Sequence, residues 1–111
     1  MGPMNGYSGV YLSSFLGLLG SLSKSEYRLF SFLINIKDEY NQIRGTQQFF
    51  ADSLNIHRVH CNSDFRGLVS SGALLKLDKA YIINPYLILP KVRERKAQLE
   101  VQHYWDSLTN G

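Results

Sequence analysis

The stretch that most constrains the fold of this chain lies between residues 46 and 74, where the sequence predicts two short helices joined by a tight turn. Thr46 is a typical N-cap residue for a helix over residues 47–54. Asn55-Ile56 supplies the turn, and a second helix is predicted over residues 58–70. Gly72 is a residue type that commonly follows a helix C-terminus. Two helices so close in sequence must cross with little space between them.

The inner faces of these two helices carry the residue types that such a crossing requires. Ala51 is small enough to let the second helix pass close by, and Ile56 is apolar and fills the space below the turn. Cys61, Phe65 and Leu68 follow at i, i+4 and i+7, so they share one face of the second helix. We expect these five residues to belong to the core.

A third helix precedes the pair and begins with a capping box. Ser23 is the predicted N-cap residue, and Glu26 lies at the third helical position. Phe30 and Leu33 continue at helical spacing, which predicts a helix over residues 24–36.

Three short segments have strand character. A polar loop over residues 37–40 leads into a predicted short strand at residues 41–44. Residues 74–77 and 80–83 are two further β-prone runs, and only Asp78-Lys79 separates them. This spacing predicts a tight β-hairpin.

The order helix, short helix, tight turn, helix, hairpin is that of a winged helix-turn-helix domain. With 111 residues, 44% hydrophobic and 19% charged, the chain has the size and composition of one folded domain. We expect a mainly α fold with a small β-hairpin, in which the winged helix-turn-helix domain spans residues 23–90. Residues 1–5 resemble an added leader, with Met4 a second candidate start, and do not enter the fold prediction.

Helical arms are predicted on both sides of this domain. The N-terminal arm (residues 1–22) contains a strongly apolar helix over residues 7–20, which needs a partner surface. The C-terminal arm (residues 91–111) contains an amphipathic helix over residues 92–108. We expect a homodimer through residues 7–20 and 92–108, with the two arms paired across a two-fold axis. The candidate interface residues of the second arm are Tyr104, Trp105 and Leu108.

The overall charge and the cysteine content narrow the functional classes. The net charge is +3 and the isoelectric point is about 9.1, which suits a polyanionic partner. Cys61 is the one cysteine, so an internal disulfide is excluded. We expect a cytoplasmic protein without a membrane association, because neither a signal peptide nor an apolar run of about 18 residues is present.

The second helix of the pair is the candidate recognition element. In a helix-turn-helix protein this helix lies in the major groove with its N-terminal part at the base edges. The outward-facing residues that we expect at double-stranded DNA are His57, Arg58, His60, Asn62, Ser63 and Arg66. Arg58 has the donors to pair with guanine, and Asn62 has the amide to pair with adenine. Asp64 and Asp78 are expected to weaken the positive potential of this surface locally.

Phosphate contacts are predicted on both sides of this helix. The candidate residues are Thr46, Gln47 and Ser63 and, at the tip of the hairpin, Lys76 and Lys79. The basic run at residues 91–96 has two interpretations, a solvated helix face or an additional phosphate contact.

Other chemistry receives less support from the residues. His57, His60 and Cys61 lie near one side of a helix, but Cys61 is at a core position and no fourth ligand is apparent, so we expect no metal and no cofactor. No Ser–His–Asp arrangement and no glycine-rich phosphate loop is evident, so we do not expect an enzyme. A winged helix that binds another protein remains an alternative.

The hairpin and the residues after it carry a family resemblance. The segment YIINP at residues 81–85 and the segment RKAQL at residues 95–99 resemble the end of RepL-type plasmid replication proteins. TQQ at residues 46–48 and GAL at residues 72–74 also suit that family, and the resemblance covers about residues 23–100. It implies a winged-helix protein that binds origin DNA and recruits host replication proteins.

The expected function is therefore sequence-specific DNA binding for a plasmid or other mobile element, at a replication origin or an operator. The alternatives are a transcriptional repressor and a partition adaptor that binds centromere-like repeats and a motor protein. A host or plasmid replication or partition protein is the candidate protein partner. Iterated sites beside an AT-rich stretch would indicate initiation, one palindrome over a promoter would indicate repression, and repeats with cooperative loading would indicate partition.

Overall fold

Helices dominate residues 12–110, the part of the chain that the computed structural model describes, with side chains described from Phe15 onward. Three short strands form one antiparallel sheet within the same range. The helices are α1 (Leu12–Ser21), α2 (Lys24–Ile36), α3 (Gln47–Leu54), α4 (Arg58–Ser70) and α5 (Arg95–Asn110). The strands are β1 (Gln42–Ile43), β2 (Leu74–Lys76) and β3 (Tyr81–Ile83).

The predicted capping signals set the starts of α2 and α3. The backbone N–H of Glu26 donates to Ser23 Oγ, and the Ser23 N–H donates to Glu26 Oε1, which completes the capping box. The Thr46 hydroxyl accepts a hydrogen bond from the Phe49 N–H at the start of α3. Each bond satisfies a backbone donor that the helix itself leaves unpaired.

The turn between α3 and α4 closes as the sequence predicts. Asn55 adopts the left-handed conformation with φ 55°, and the Ile56 N–H donates to the carbonyl of Ala51. Arg28 of α2 donates from Nη2 to the Leu54 carbonyl at 2.6 Å, which places a cation at the C-terminus of α3. The two-helix unit is thus tied to α2 by a charged hydrogen bond that no local pattern indicated.

The predicted inner face forms the centre of the core. Ala51, Cys61, Phe65 and Leu68 are buried, and Ile56 is half-buried against the same cluster. The C-terminus of α4 closes on Gly72, whose φ of 86° favours glycine, while the Ala73 N–H donates to the Leu68 carbonyl.

The hairpin is confirmed, and the sheet contains one more strand than the hairpin. Strands β2 and β3 pair antiparallel, and the Leu77 N–H donates to the Ala80 carbonyl at 2.8 Å across the Asp78-Lys79 turn. The short strand predicted at residues 41–44 is β1, which pairs with the other edge of β3, so the strand order is β1-β3-β2.

Both faces of the sheet are covered by helices of the same chain. Tyr81 and Ile83 point to the cluster that includes α2, α3 and α4. Ile82 lies on the opposite face and packs with Val101 and Trp105 of α5. The alternation along β3 therefore divides the apolar side chains between two packed layers.

The C-terminal helix differs from its prediction in its bounds and in its contacts. It runs over Arg95–Asn110 instead of residues 92–108, because the chain before it is held to the body: the Lys91 N–H donates to the Glu39 carbonyl and Val92 is buried. Trp105 was predicted at a subunit interface, but it is only 6% exposed, since it packs on the sheet of its own chain. Tyr104 and Leu108 do remain exposed.

The N-terminal arm also packs on the body. Leu18 is buried in the main core, and the rings of Phe15 and Phe30 lie with their centroids 6.4 Å apart. Residues 1–11 lie outside the described residues, so the predictions for residues 1–5 and for the start of the helix over residues 7–20 fall there. Within residues 12–110 no helix combines the length and the apolar character needed to cross a bilayer.

Asn41 joins the loop after α2 to the segment after β3. It is fully buried with φ 65°, and its amide Nδ2 donates to the carbonyls of Ile83 and Ile88 at 3.2 and 2.8 Å. Its own carbonyl accepts from the Ile83 N–H. This one side chain holds two separate segments beside β1.

We expect Asn41→Ala to lower the free energy of unfolding by about 2–4 kcal/mol, because it leaves two buried carbonyls short of a donor and puts a Cβ-bearing residue without an amide in the left-handed region. Asn55→Ala is the matched control, since Asn55 has a similar φ of 55° but is exposed. Urea unfolding should show a loss of only about 1 kcal/mol for this control. Equal losses in the two variants would contradict the role of the Asn41 amide.

Lys37 is a buried cation without a partner. The residue is 7% exposed, and its Nζ makes no hydrogen bond. Burial and, to a smaller extent, the Lys91 ammonium lower the pKa of Lys37 from 10.5 to about 8, and Asp38 partly opposes both effects. The folded protein therefore releases this proton at lower pH than the unfolded chain does, so the contribution of Lys37 to stability rises with pH between about 8 and 10.5.

We expect Lys37→Met to stabilise the protein by about 1–3 kcal/mol at pH 7, where the buried amine is charged in both states. This advantage should shrink as the pH rises from 8 towards 10.5. Burial raises the pKa of Cys61 and of Tyr81, which affects both proteins alike, so the difference between them reports Lys37. Lys96→Met is the control, because Lys96 is exposed, and its stability relative to the wild type should not change with pH. A gain in the free energy of unfolding of Lys37→Met that stays constant with pH would contradict the prediction.

Candidate functional site

The outer face of α4 is polar and basic. Val59, Ser63, Arg66 and Ser70 follow at helical spacing on the side opposite the buried residues Cys61, Asp64, Phe65 and Leu68, and all four are exposed. Asp64 is the only carboxylate on α4, and it is buried, with 6% of its surface exposed. Asp64 faces α2 and accepts a hydrogen bond from Ser25 there. That its charge weakens the positive potential of this surface stays a prediction.

A groove separates α4 from the hairpin. It encloses about 550 Å³ and has the aromatic rings of Phe65 and Tyr81 on its apolar side. Its polar lining is provided by Asn62 and Arg66 from α4 and by Lys76 from β2. Asn62, a predicted base contact, Arg66, a predicted DNA-facing residue, and Lys76, a predicted phosphate contact, thus line one groove.

A second groove lies between the start of α3 and the hairpin, with a volume of about 460 Å³. Four of the predicted phosphate contacts line it: Thr46, Gln47, Lys76 and Lys79. Asp78 lines it as well, so the two lysines share this groove with one carboxylate. Lys76 belongs to both grooves, which makes them neighbours on one surface.

Tyr81 lies between the two grooves and was not predicted as a site residue. Its ring stacks on Phe65 with centroids 4.5 Å apart, and Gln47 Nε2 donates to its hydroxyl at 3.2 Å. Burial raises the pKa of Tyr81, and the hydrogen bond from Gln47 acts in the opposite direction. The phenol is therefore protonated at neutral pH, and its O–H is a hydrogen-bond donor. The side-chain oxygen Oε1 of Gln47 is buried and has no hydrogen-bond partner.

His57 is the N-cap residue of α4 and Arg58 is its first residue, and both lie outside the two grooves. Together with Gln48 and Asn55 they line a shallow depression of about 440 Å³. The side chain of His57 makes no capping hydrogen bond. The first N–H groups of α4 thus lack a side-chain acceptor from the cap, and the positive end of the helix dipole faces this depression.

His60 is the predicted site residue that the structure turns away from the grooves. Its Nε2 lies 2.8 Å from Ser25 Oγ of α2 and 3.5 Å from Asp64 Oδ2. Ser25 also donates to Asp64. A Ser–His–Asp group therefore exists in space although no sequence spacing indicates it, because the packing of α2 on α4 brings residue 25 to residues 60 and 64.

The geometry of this group is that of a polar contact between helices. In a hydrolytic triad the carboxylate holds the imidazole nitrogen opposite the one that faces serine. Here Ser25 and Asp64 both face Nε2 of His60, and the serine proton is donated to the carboxylate. The cluster fixes the rotation of α4 about its axis relative to α2.

Metal-ligating side chains are not grouped in the described part of the chain: no set of three or more His, Cys, Asp or Glu residues there could hold an ion. Cys61 is fully buried, and burial followed by the charge of Asp64 raises the pKa of its thiol. Its place in the core is the one that the sequence predicted.

The structure thus brings six of the ten predicted site residues, namely Thr46, Gln47, Asn62, Arg66, Lys76 and Lys79, to two adjoining grooves. Ser63 is exposed on the same face of α4 as Arg66, although it lines neither groove. Val59 is 77% exposed on this face and was not among the predicted site residues. An apolar residue at an outward position of the helical wheel was the signal that could have identified it.

Comparisons with protein-family models, with curated proteins and with solved structures found no match to this chain.

Proposed function

We propose that this chain is a winged helix-turn-helix protein that binds double-stranded DNA, with α4 in the major groove and the β2–β3 hairpin as the wing. The observation that carries the proposal is the outer face of α4, which presents amide, hydroxyl and guanidinium groups and no exposed carboxylate. A surface that is only solvated has no need to exclude acidic side chains, whereas a surface that meets phosphates does.

The grooves beside α4 support the same assignment. Asn62 and Arg66 line the groove next to Lys76, so groups suited to base edges and a group suited to phosphate occur together. Thr46 and Gln47 lie at the N-terminus of α3, where the helix dipole favours an anion, and Lys79 lies across the second groove from them. A DNA backbone that follows these grooves would meet donors from three elements.

The proposal extends to the oligomeric state and the site: the protein binds a plasmid origin or operator as a homodimer. Leu16 of α1 and Leu99, Tyr104 and Leu108 of α5 are large apolar side chains that stay 40–56% exposed, so both arms retain apolar surface for a second subunit. Two α4 helices related by a two-fold axis would meet successive major grooves about 34 Å apart. The resemblance of residues 23–100 to RepL-type replication proteins favours an origin over an operator.

The test is selection of bound duplexes from a random library at about 150 mM salt, followed by sequencing. We expect an enriched inverted repeat with half-sites one helical turn apart, because a symmetric dimer binds a symmetric site. The location of the repeat on the parent replicon then distinguishes an origin from a promoter. Recovery of random sequence at this salt concentration would overturn base-specific recognition and favour the protein-binding alternative.

Arg58→Ala and Lys79→Ala should weaken DNA binding in different ways. Arg58 is at the first position of α4, near the base edges, so its loss should cost about 1–3 kcal/mol on the selected site and relax the preference at one base pair. Lys79 is at the hairpin tip, so its loss should weaken binding to all sequences alike and reduce the salt dependence by about one ion.

Fluorescence anisotropy with the selected duplex and a scrambled duplex, at several salt concentrations, measures both effects. Lys24→Ala is the matched control for charge, because Lys24 is an exposed lysine at the first position of α2 and lines neither groove. If Lys79→Ala reduced affinity for the selected duplex alone, the phosphate role of Lys79 would be wrong.

A further inference from the structure

Val59 is the apolar side chain on the outer face of α4, and 77% of its surface is exposed. It is the second residue of the helix, one position after Arg58 and one turn before Ser63. Its neighbours on this face are all polar, and the other valine of α4, Val69, is half-buried and packs against the core. Nothing within the described chain covers Val59.

The electrostatics of the surrounding face indicate what kind of partner can cover this valine. Arg58 and Arg66 are exposed on the helix, and its one carboxylate, Asp64, is buried beside Ser25. An apolar side chain that is enclosed by basic and neutral donors suits a partner that is anionic overall but offers a small apolar group. In the major groove of DNA that group is the 5-methyl of thymine.

We infer that Val59 contacts the 5-methyl group of a thymine and so sets a preference for thymine at one position of each half-site. This inference rests on the proposed function, because it places α4 in the major groove. Its physical basis is the burial of methyl groups against each other, worth about 0.8 kcal/mol for a group the size of a methylene, or about a fourfold change in affinity.

Deoxyuridine substitution tests the contact directly, because uracil keeps the hydrogen-bonding groups of thymine and lacks only the methyl. Each thymine of the selected duplex is replaced in turn, and the dissociation constant is measured for the wild-type protein and for Val59→Ala. We expect one position in each half-site at which uracil costs the wild type about fourfold in affinity. Val59→Ala lacks the valine in both subunits, so it should bind the thymine duplex about as weakly as the wild type binds the duplex with uracil at both positions. The variant should no longer distinguish thymine from uracil at either position.

The control variant is Ile36→Ala, which removes an apolar side chain that is 39% exposed at the C-terminal end of α2 and lines neither groove. It should retain the discrimination between thymine and uracil. Because Val59 is exposed, Val59→Ala should unfold at the same urea concentration as the wild type, so a loss of binding reports the interface.

The outcomes separate this inference from the proposed function. Specific binding without any uracil-sensitive position, or with equal sensitivity in Val59→Ala and the wild type, overturns the contact and leaves the DNA-binding proposal intact. Failure of the library selection to enrich any sequence overturns both. A change in the oligomeric state of Val59→Ala by light scattering, with uracil sensitivity unchanged, assigns Val59 to a protein contact and also overturns the inference.

Discussion

The position of β3 at the centre of the sheet is the constraint on which the rest of the structure depends. Strand β3 pairs with β1 on one edge and β2 on the other, and Ile82 and Ile83 are fully buried on opposite faces. A shift of one residue would exchange the two faces and place the Tyr81 phenol against Trp105. Because this register is fixed from both sides, the hairpin has one position relative to α4, and the grooves between them have one shape.

The loop before β1 extends this constraint to the C-terminal part of the chain. Asp38 Oδ1 accepts hydrogen bonds from the N–H groups of Tyr40 and Gln42, which shapes the loop, and the Asn41 amide then holds Ile83 and Ile88 in place. The Lys91 N–H reaches the Glu39 carbonyl of the same loop. Helix α5 therefore starts from a segment that the body holds in place, and its buried residues Val101 and Trp105 pack on the sheet of the same chain.

The rotation of α4 about its axis decides which of its side chains are available to a ligand. Its contact with α2 is close, because a Cβ on Gly67 would lie 1.8 Å from Glu26 Oε2. At the same contact, Ser25 holds His60 and Asp64. This polar contact turns the only carboxylate of α4 inward and leaves Val59, which no local pattern marked, on the outside with Arg66. Helical spacing alone could not distinguish His60 from Ser63, because both lie away from the core face.

By itself, the sequence determined the elements whose signals are local. The capping box at Ser23, the cap at Thr46, Gly72 and the two-residue hairpin turn each concern groups a few residues apart, and the structure has α2, α3, α4 and the hairpin where those signals place them. Only the tertiary structure decided the pairing of β1 with β3, the burial of Trp105 on the sheet and the separation of His60 from the grooves. Each of these features depends on contacts between residues far apart in the chain. Such contacts stabilise the protein only once the helices and the sheet have packed together, so a short stretch of sequence does not reveal them.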